Sequence, residues 1–232
     1  MIAATRPKAY KAPMPRDSFS HVTTWVFDLD NTLYPPHMRL FDQIERKMTA
    51  WVMTNLKVTE DRADHLRATY WRTYGTTLAG LMAEHDVDPM DYLTDVHDID
   101  FSVLSPDDQL ARRIARLPGR RIVFTNGDSV YASKVLAARG LSGVFDAVYG
   151  VEHADFRPKP EAAAFRSVFA KDGLTPTSAA MFEDDDRNLR VPHDWGMRCV
   201  HIAPERGEGD HIHHHSADLS EFLALLVDDS AA

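Results

Sequence analysis

Residues 23–32 read TTWVFDLDNT, and this stretch sets the expected fold and the expected chemistry. Its first half is β-branched and aromatic, which predicts a strand over residues 23–27. Asp28 and Asp30 follow at once, with Leu29 between them. On a turn, two carboxylates at positions i and i+2 can point into one space while the residue between them turns away. The strand is therefore expected to deliver an acid pair to a single site.

Further strand signals recur along the chain, and polar clusters follow two of them. The runs are residues 121–124, a segment within 143–150, 179–182 and 197–202. The first ends in TNG at residues 125–127, and the third ends in EDDD at residues 183–186. Helical patterns lie between the strands, which predicts an α/β fold with a parallel sheet and helices on both faces. Ligands bind at the carboxyl ends of strands in such sheets, where these polar clusters stand.

Residues 35–104 interrupt the alternation. They contain no convincing strand, and apolar residues recur at helical spacing, as at Phe41, Ile44 and Met48. The pattern predicts a separate small helical domain inserted into a core formed by residues 22–34 and 105–232.

The two ends of the chain have their own signals. Residues 1–21 are basic and Pro-rich and lack the apolar run of a secretory signal, so we expect a flexible N-terminal arm. Residues 217–227 have the pattern of a terminal amphipathic helix.

Together, the polar clusters predict phosphoryl-transfer chemistry. A carboxylate nucleophile such as Asp28 can split the transfer into two steps, and a neighbouring acid such as Asp30 can protonate the leaving oxygen. Glu183 and Asp184 add hard oxygen ligands that suit Mg²⁺. Lys159 can neutralise the transferring group. The hydroxyl and backbone N–H groups of residues 125–127, including Thr125 and Asn126, can cradle phosphate oxygens.

These segments resemble the four motifs of the haloacid dehalogenase superfamily over about residues 22–203. The motif segments are residues 28–34, 125–127, 157–160 and 182–188. The resemblance implies a Rossmann-like core with a helical cap, residues 35–104, inserted after the first motif. It further implies a magnesium cofactor and a small phosphorylated substrate.

The resemblance also implies a role for each motif residue. Asp28 becomes the nucleophile and a metal ligand, and Asp30 the general acid/base, which gives its backbone carbonyl to Mg²⁺. Asp184 ligates the metal, and Glu183 acts through metal-bound water. The implied phosphoryl-binding residues are Thr125, Asn126 and Lys159.

Within the superfamily, residues 28–35, 96–100 and 181–189 look closest to the pyrimidine 5′-nucleotidases, which implies nucleoside 5′-monophosphates as substrates. Asp185 and Asp186 depart from the expected pattern and leave open which carboxylate ligates the metal. Aromatic residues that could stack on a nucleobase are Tyr34, His37, Tyr70, Trp71 and Tyr74.

Several alternatives share parts of this pattern. A phosphoglycolate or sugar-phosphate phosphatase and a phosphosugar mutase would use the same residues. A 2-haloacid dehalogenase needs no acid to protonate its leaving group, so Asp30 argues against it. A non-catalytic receiver-like module also accepts a phosphoryl group on Asp, but receivers are roughly half as long and lack an inserted cap. A binding-only relative without activity is disfavoured because every motif residue is present.

The composition of the chain limits the classes of molecule that it is expected to bind. The formal net charge of −9 argues against nucleic-acid polymers and anionic membranes, because both need clustered Lys and Arg. Cys199 is the one cysteine, which suits a reducing, cytoplasmic compartment, and its apolar surroundings predict burial. Residues 211–215 read HIHHH and are expected to form an exposed loop. We expect a monomer or a homodimer.

Overall fold

Six parallel strands form one sheet in the computed structural model, which describes residues 15–228. In spatial order the sheet runs β3-β2-β1-β4-β5-β6. The strands are β1 (Thr24–Phe27), β2 (Arg120–Phe124), β3 (Ala147–Tyr149), β4 (Ala179–Glu183), β5 (Arg198–Ile202) and β6 (His214–Ser216). The parallel α/β fold expected from the sequence is confirmed.

Helices connect the strands and cover the sheet. Those in residues 15–228 are α1 (Pro15–Ser18), α2 (Leu40–Leu56), α3 (Glu60–Tyr74), α4 (Thr77–His85), α5 (Pro89–Val96), α6 (Asp108–Ala115), α7 (Ser129–Ala138), α8 (Ala162–Asp172), α9 (Arg190–Asp194) and α10 (Leu219–Val227). None of them combines the length and the apolar character needed to cross a membrane. Helices α2 to α5 all lie between β1 and β2 in the chain.

Strand β1 lies at the centre of the sheet, where the direction of the connections reverses. It pairs with β2 on one side and with β4 on the other. The chain builds outward from β1 through β2 to β3, and later from β4 through β5 to β6. A reversal of this kind leaves a crevice at the carboxyl ends of the central strands. The loops that follow β1, β2 and β4 therefore meet at one edge of the sheet.

Side chains of the central strands alternate between two apolar cores, one on each face of the sheet. Trp25 and Phe27 point to one face, whereas Val26 points to the other, as the pleat of a strand requires. Phe27 stacks on Phe182 of β4 with ring centroids 4.7 Å apart, and both rings are fully buried. This pair fixes the register of β1 against β4 directly below the crevice.

The inserted helices have a hydrophobic cluster of their own, with Val52, Tyr70, Leu81, Tyr92 and Val96 among its members. Helix α2 joins this cluster to the sheet, because its first half packs on the core through Leu40 and Ile44.

Two segments differ from the sequence-based expectation. Most of the N-terminal arm, residues 1–14, lies outside the described residues, but from residue 15 onward the chain packs on the core. Phe19 is buried and stacks on Trp25 of β1, and this contact holds residues 15–21 against the core. The histidine-rich stretch is not an exposed loop: His211 is buried, and β6 pairs with β5. The three strand residues, His214 to Ser216, are half-buried, which suits a strand at the edge of the sheet.

The stacked pair at the centre of the sheet gives a stability prediction. Phe182→Ala removes a fully buried ring that contacts Phe27 and Phe222, so the free energy of unfolding should fall by about 3–5 kcal/mol. Urea denaturation followed by circular dichroism measures this change. Val130→Ala, at a position that is 62% exposed, should stay within about 0.5 kcal/mol of wild type. Equal losses in the two variants would contradict this account of the core.

Candidate active site

Asp28 lies at the point where β1 ends, and the β-ladder itself fixes its position. Its backbone N–H donates to the Phe182 carbonyl at 2.9 Å, so the pairing of β1 with β4 continues through this residue. Leu29 then turns into the core, and Asn31 adopts the left-handed conformation (φ 60°), which Asn tolerates well. The carboxyl groups of Asp28 and Asp30 consequently line the same cavity.

Lys159 is the cation that offsets the charge of Asp28. Its buried ammonium group lies 2.6 Å from Asp28 Oδ1 and 2.9 Å from Glu183 Oε2, and it donates a third hydrogen bond to the Phe124 carbonyl. Burial lowers the pKa of Lys159, but the two carboxylates outweigh that effect and raise the pKa above its ordinary value. The ammonium group therefore stays charged, with all three donors engaged.

Asp30 has a different environment from Asp28. Two buried tyrosines donate to the same oxygen, Asp30 Oδ1: Tyr34 at 2.6 Å and Tyr131 at 2.5 Å. Burial, and then the charge of Asp28, raise the pKa of Asp30, and the two hydroxyl groups only partly oppose this shift. Asp30 is thus the carboxyl of the pair that is suited to hold a proton, with one oxygen fixed by tyrosines.

Tyr131 is itself fixed by a buried His–Asp pair. His97 stacks on the Tyr131 ring with centroids 4.1 Å apart, and its Nδ1 lies 2.6 Å from Asp128 Oδ2. Asp128 also caps α7 by accepting from the Tyr131 backbone N–H. Tyr131 is not among the site residues expected from the sequence. A buried tyrosine needs a partner for its hydroxyl group, and that requirement was the available signal.

Thr125, Asn126 and Gly127 form the loop after β2. Thr125 Oγ1 accepts from the Gly127 N–H at 3.0 Å and still has its own proton to donate into the cavity. The Asn126 side chain bonds to both backbone groups of Lys159, at 2.8 Å and 3.1 Å. Its amide therefore positions the lysine, while its backbone remains part of the loop. A Cβ at Gly127 would lie 2.8 Å from the Tyr131 ring, so this position requires glycine.

Three carboxylates converge at the edge of the sheet. Among residues 15–228, the group that could share a metal ion is Asp28, Glu183 and Asp184, whose oxygens lie within 4.8 Å of one another. Neighbouring amides hold two of them: Asn188 donates to Glu183 at 2.6 Å, and Asn31 donates to Asp184 at 3.2 Å.

This donor set fits Mg²⁺, because it consists of hard oxygens without thiolate or imidazole. Burial and the charge of Asp28 raise the pKa of Asp184 to about 8, and the same two causes raise the pKa of Glu183 well above its ordinary value. Lys159 alone does not balance so many buried acids. A second cation bound among these carboxylates would therefore stabilise their ionised forms.

Asp185 and Asp186 lie outside this cluster. Asp185 forms a two-pronged pair with Arg187, at 3.0 Å from Nε and 2.6 Å from Nη2, and Asp186 Oδ2 lies 3.6 Å from His211 Nε2. Their positions favour Asp184 as the metal ligand.

A cavity of about 840 Å³ extends from the carboxylates to the inserted helices. Its far wall is mainly apolar, with Phe41, Ile44, Met48 and Leu93 among the lining residues. Polar side chains interrupt this wall at Glu45, Asp64 and Arg67.

The aromatic residues suggested for stacking on a base divide into two groups. Trp71 lines the cavity and is 48% exposed, and the Arg187 guanidinium group covers one face of its ring at 3.6 Å, so the rest of the ring is open to a ligand. The others are engaged elsewhere or lie outside the lining: Tyr34 bonds to Asp30, Tyr70 to His85, and Tyr74 to Glu84, and His37 is absent from the cavity wall.

Comparisons with known proteins identify a matching family and several relatives. Residues 22–191 match the family model of the haloacid dehalogenase-like hydrolases. The chain is 25% identical to phosphate metabolism protein 8 of Saccharomyces cerevisiae over 78% of its length. It is 34% identical to the fructose-1-phosphate phosphatase YqaB of Escherichia coli over 36% of its length. The matched regions span only 62% and 45% of these two relatives.

Solved structures share the fold at low sequence identity. CbbY from Rhodobacter sphaeroides, in complex with phosphate, superposes with a TM-score of 0.63 at 16% identity, over 88% of this chain and 99% of that one. The magnesium-bound hydrolase YfnB from Bacillus subtilis gives 0.58 at 15% identity, over 88% and 98%. L-2-haloacid dehalogenase from Xanthobacter autotrophicus gives 0.54 at 17% identity, over 90% and 100%. The fold is common to all three proteins.

The crowded carboxylates predict that Asp184→Asn stabilises the metal-free protein. Because the folded-state pKa of Asp184 is raised to about 8, its ionisation destabilises the fold progressively as pH rises from about 4 to 8. In EDTA at pH 8, the variant should be more stable than wild type by at least ~1 kcal/mol, and the difference should shrink at pH 5. Mg²⁺ at ~100 times its Kd should stabilise wild type by about 2.7 kcal/mol and the variant much less.

Thermal and urea unfolding at the two pH values measure these differences. Asp61→Asn, at an exposed position of α3, removes the same charge without touching the cluster and serves as the matched control. A variant that is less stable than wild type in EDTA at pH 8 would contradict the electrostatic argument.

Proposed function

The chain belongs to the haloacid dehalogenase-like hydrolase family, and from this premise we propose that it is a Mg²⁺-dependent phosphatase of small phosphomonoesters. The observation that carries the proposal is that two neighbouring carboxyl groups, those of Asp28 and Asp30, have different environments. The ammonium group of Lys159 contacts Asp28 and offsets its negative charge. Two tyrosines instead donate hydrogen bonds to Asp30, whose pKa is raised by burial, so its protonated form is favoured. One carboxyl is thereby equipped to attack and the other to give a proton.

In the first step, an oxygen of Asp28 attacks phosphorus and the bond from phosphorus to the ester oxygen breaks. Asp30 gives its proton to the departing oxygen, so the alcohol leaves neutral and an aspartyl phosphate remains. Thr125 donates its hydroxyl hydrogen to a phosphoryl oxygen. Lys159 keeps Asp28 oriented and offsets part of the negative charge of the site.

In the second step, water attacks the phosphorus of the aspartyl phosphate. Asp30, now a carboxylate, takes a proton from that water, and the bond between Asp28 and phosphorus breaks. Inorganic phosphate leaves, and the free carboxylate of Asp28 is restored together with the protonated form of Asp30. The same group thus serves first as acid and then as base.

The metal ligands that we assign are the carboxylates of Asp28 and Asp184 and the backbone carbonyl of Asp30, with Glu183 acting through water. When bound, Mg²⁺ supplies positive charge to the phosphoryl oxygens. The carboxylate cluster supports this assignment, because Lys159 alone does not balance its three acids.

For the substrate, we propose nucleoside 5′-monophosphates, with pyrimidines preferred. The size of the cavity, its apolar wall and the exposed Trp71 suit a nucleoside. The relative that acts on fructose 1-phosphate favours a second candidate, a hexose monophosphate. We further propose that residues 35–104 act as a cap that closes over the site and excludes water, and that the enzyme works in the cytoplasm as a monomer or homodimer.

Replacing the nucleophile tests the mechanism. Asp28→Asn should lower kcat for uridine 5′-monophosphate by at least ~10³-fold, because an amide cannot form the phosphoenzyme. EDTA should abolish wild-type turnover, and added Mg²⁺ should restore it. Phosphate release measures both effects, and Asp98→Asn, an exposed acid, should leave the rate unchanged. Activity that persists in Asp28→Asn or in EDTA would refute the proposed mechanism.

The tyrosine pair gives a prediction about leaving groups. Tyr131→Phe removes one of two donors that orient Asp30, so kcat/KM should fall about tenfold or more for alkyl phosphates, whose leaving oxygen needs a proton. The loss should be much smaller for 4-nitrophenyl phosphate, whose leaving group departs without one. Tyr149→Phe, which removes a hydroxyl bonded to Asp172, is the matched control. Equal losses for both substrates would mean that Tyr131 does not act through Asp30.

A further inference from the structure

The charges that line the cavity are unevenly distributed. Three cationic side chains of Lys or Arg reach it within residues 15–228, and each is already paired with carboxylates. They are Arg67, Lys159 and Arg187. The lining carboxylates are more numerous: Asp28, Asp30, Glu45, Asp64, Glu183, Asp184, Asp185 and Asp186.

Arg67 is the cation of the far wall, opposite the reacting carboxylates. Its Nη1 donates to Thr49 at 2.6 Å and lies 3.5 Å from Asp64 Oδ1, and its Nη2 lies 3.6 Å from Glu45 Oε1. Thr49 in turn donates to Asp64 at 2.7 Å. Arg67 is 17% exposed and is paired with two acids that are 54% (Glu45) and 57% (Asp64) exposed, so these three side chains together carry a net negative charge.

Arg187 is committed in a similar way at the edge of the core. Asp185 binds its guanidinium group through two hydrogen bonds, and the group stacks on the Trp71 ring at 3.6 Å. A contact this close leaves that face of the guanidinium group covered. Lys159 has all three donors engaged, as described above.

We propose that this cavity selects phosphomonoesters whose leaving group carries no charge, and that Glu45 and Asp64 enforce the selection by occupying Arg67. This inference rests on the proposed phosphatase activity. A second anion on the substrate would have to leave water for a wall that carries net negative charge and where every lining Lys or Arg of residues 15–228 is already paired with an acid, which is unfavourable. The apolar surface and the hydrogen-bonding groups of the wall suit a neutral nucleoside or sugar instead.

The selection separates candidates that share the same catalytic residues. Nucleoside 5′-monophosphates and hexose monophosphates release neutral alcohols and are accepted. Phosphoglycolate, whose leaving group is an alcohol that carries a carboxylate, and sugar or nucleoside bisphosphates are rejected. The acids of the far wall thus determine specificity without touching the reacting atoms.

Two matched substrate pairs test the selection in wild type. Uridine 5′-monophosphate is compared with uridine 3′,5′-bisphosphate, and ethylene glycol monophosphate with 2-phosphoglycolate, at fixed ionic strength and saturating Mg²⁺. In each pair, the substrate with the neutral leaving group is the first one named. Its kcat/KM for phosphate release (at the 5′ position for the uridine compounds) should be at least ~10-fold higher, given the Coulomb energies of partly buried charges. Equal values within the pairs would overturn the inference while leaving the phosphatase activity intact. If neither uridine 5′-monophosphate nor ethylene glycol monophosphate were hydrolysed, the proposed function itself would be refuted.

A gain of activity tests the role of the two acids. The double variant Glu45→Gln with Asp64→Asn keeps the shapes and the acceptor for Thr49 but releases Arg67. The ratio of kcat/KM for 2-phosphoglycolate to that for ethylene glycol monophosphate should rise at least ~10-fold. Adding Arg67→Gln should cancel the rise, and Asp61→Asn alone should not change the ratio. An unchanged ratio in the double variant, or a rise that survives Arg67→Gln, would show that these acids do not act through Arg67.

Discussion

The buried ammonium group of Lys159 is the interaction on which the rest of the site depends. A parallel sheet brings the ends of β1, β2 and β4 to one crevice, and acids follow two of these strands. Carboxylates buried side by side repel one another and lose their hydration, so the arrangement persists only with a counter-charge between them. Lys159 provides that charge by binding Asp28 and Glu183 together, and Asn126 holds its backbone in place.

Asp28 and Asp30 show how neighbours, and not residue type, assign a chemical role. Both follow the same strand, two residues apart. Asp28 contacts a cation, whereas within residues 15–228 Asp30 Oδ1 contacts two hydroxyl groups and no cation within hydrogen-bond distance. The tyrosines come from different parts of the chain, one from the same turn and one from α7, so the turn and the helix must both be in place before Asp30 is oriented.

How far the sequence predicts such a site depends on the range of the interactions. The strands and the loops after them were foreseeable, because Trp25, Val26 and Phe27 carry a local pattern and Asp28 follows them directly. Tyr131 as a partner of Asp30 was not, since 101 positions separate the two residues and only the tertiary fold joins them. The sequence does not predict the last strand, β6, for a different reason. His214 and His215 lack the apolar character of a buried strand, and their pairing depends on the β5 edge already being present.

The same electrostatic constraint links the chemistry to the choice of substrate. Each lining cation of Lys or Arg in residues 15–228 is engaged by acids of this chain, so the counter-charge for a phosphoryl group has to come with a bound metal ion. A metal ion bound beside Asp28 and Asp184 adds positive charge at that end of the cavity only. The negative charge of the far wall, near Glu45 and Asp64, stays the same. A site that concentrates its spare positive charge at one end accommodates one anionic group at that end. The remainder of the ligand is then recognised by apolar contact and hydrogen bonds, for which Trp71 and the helices α2 and α3 provide the surface.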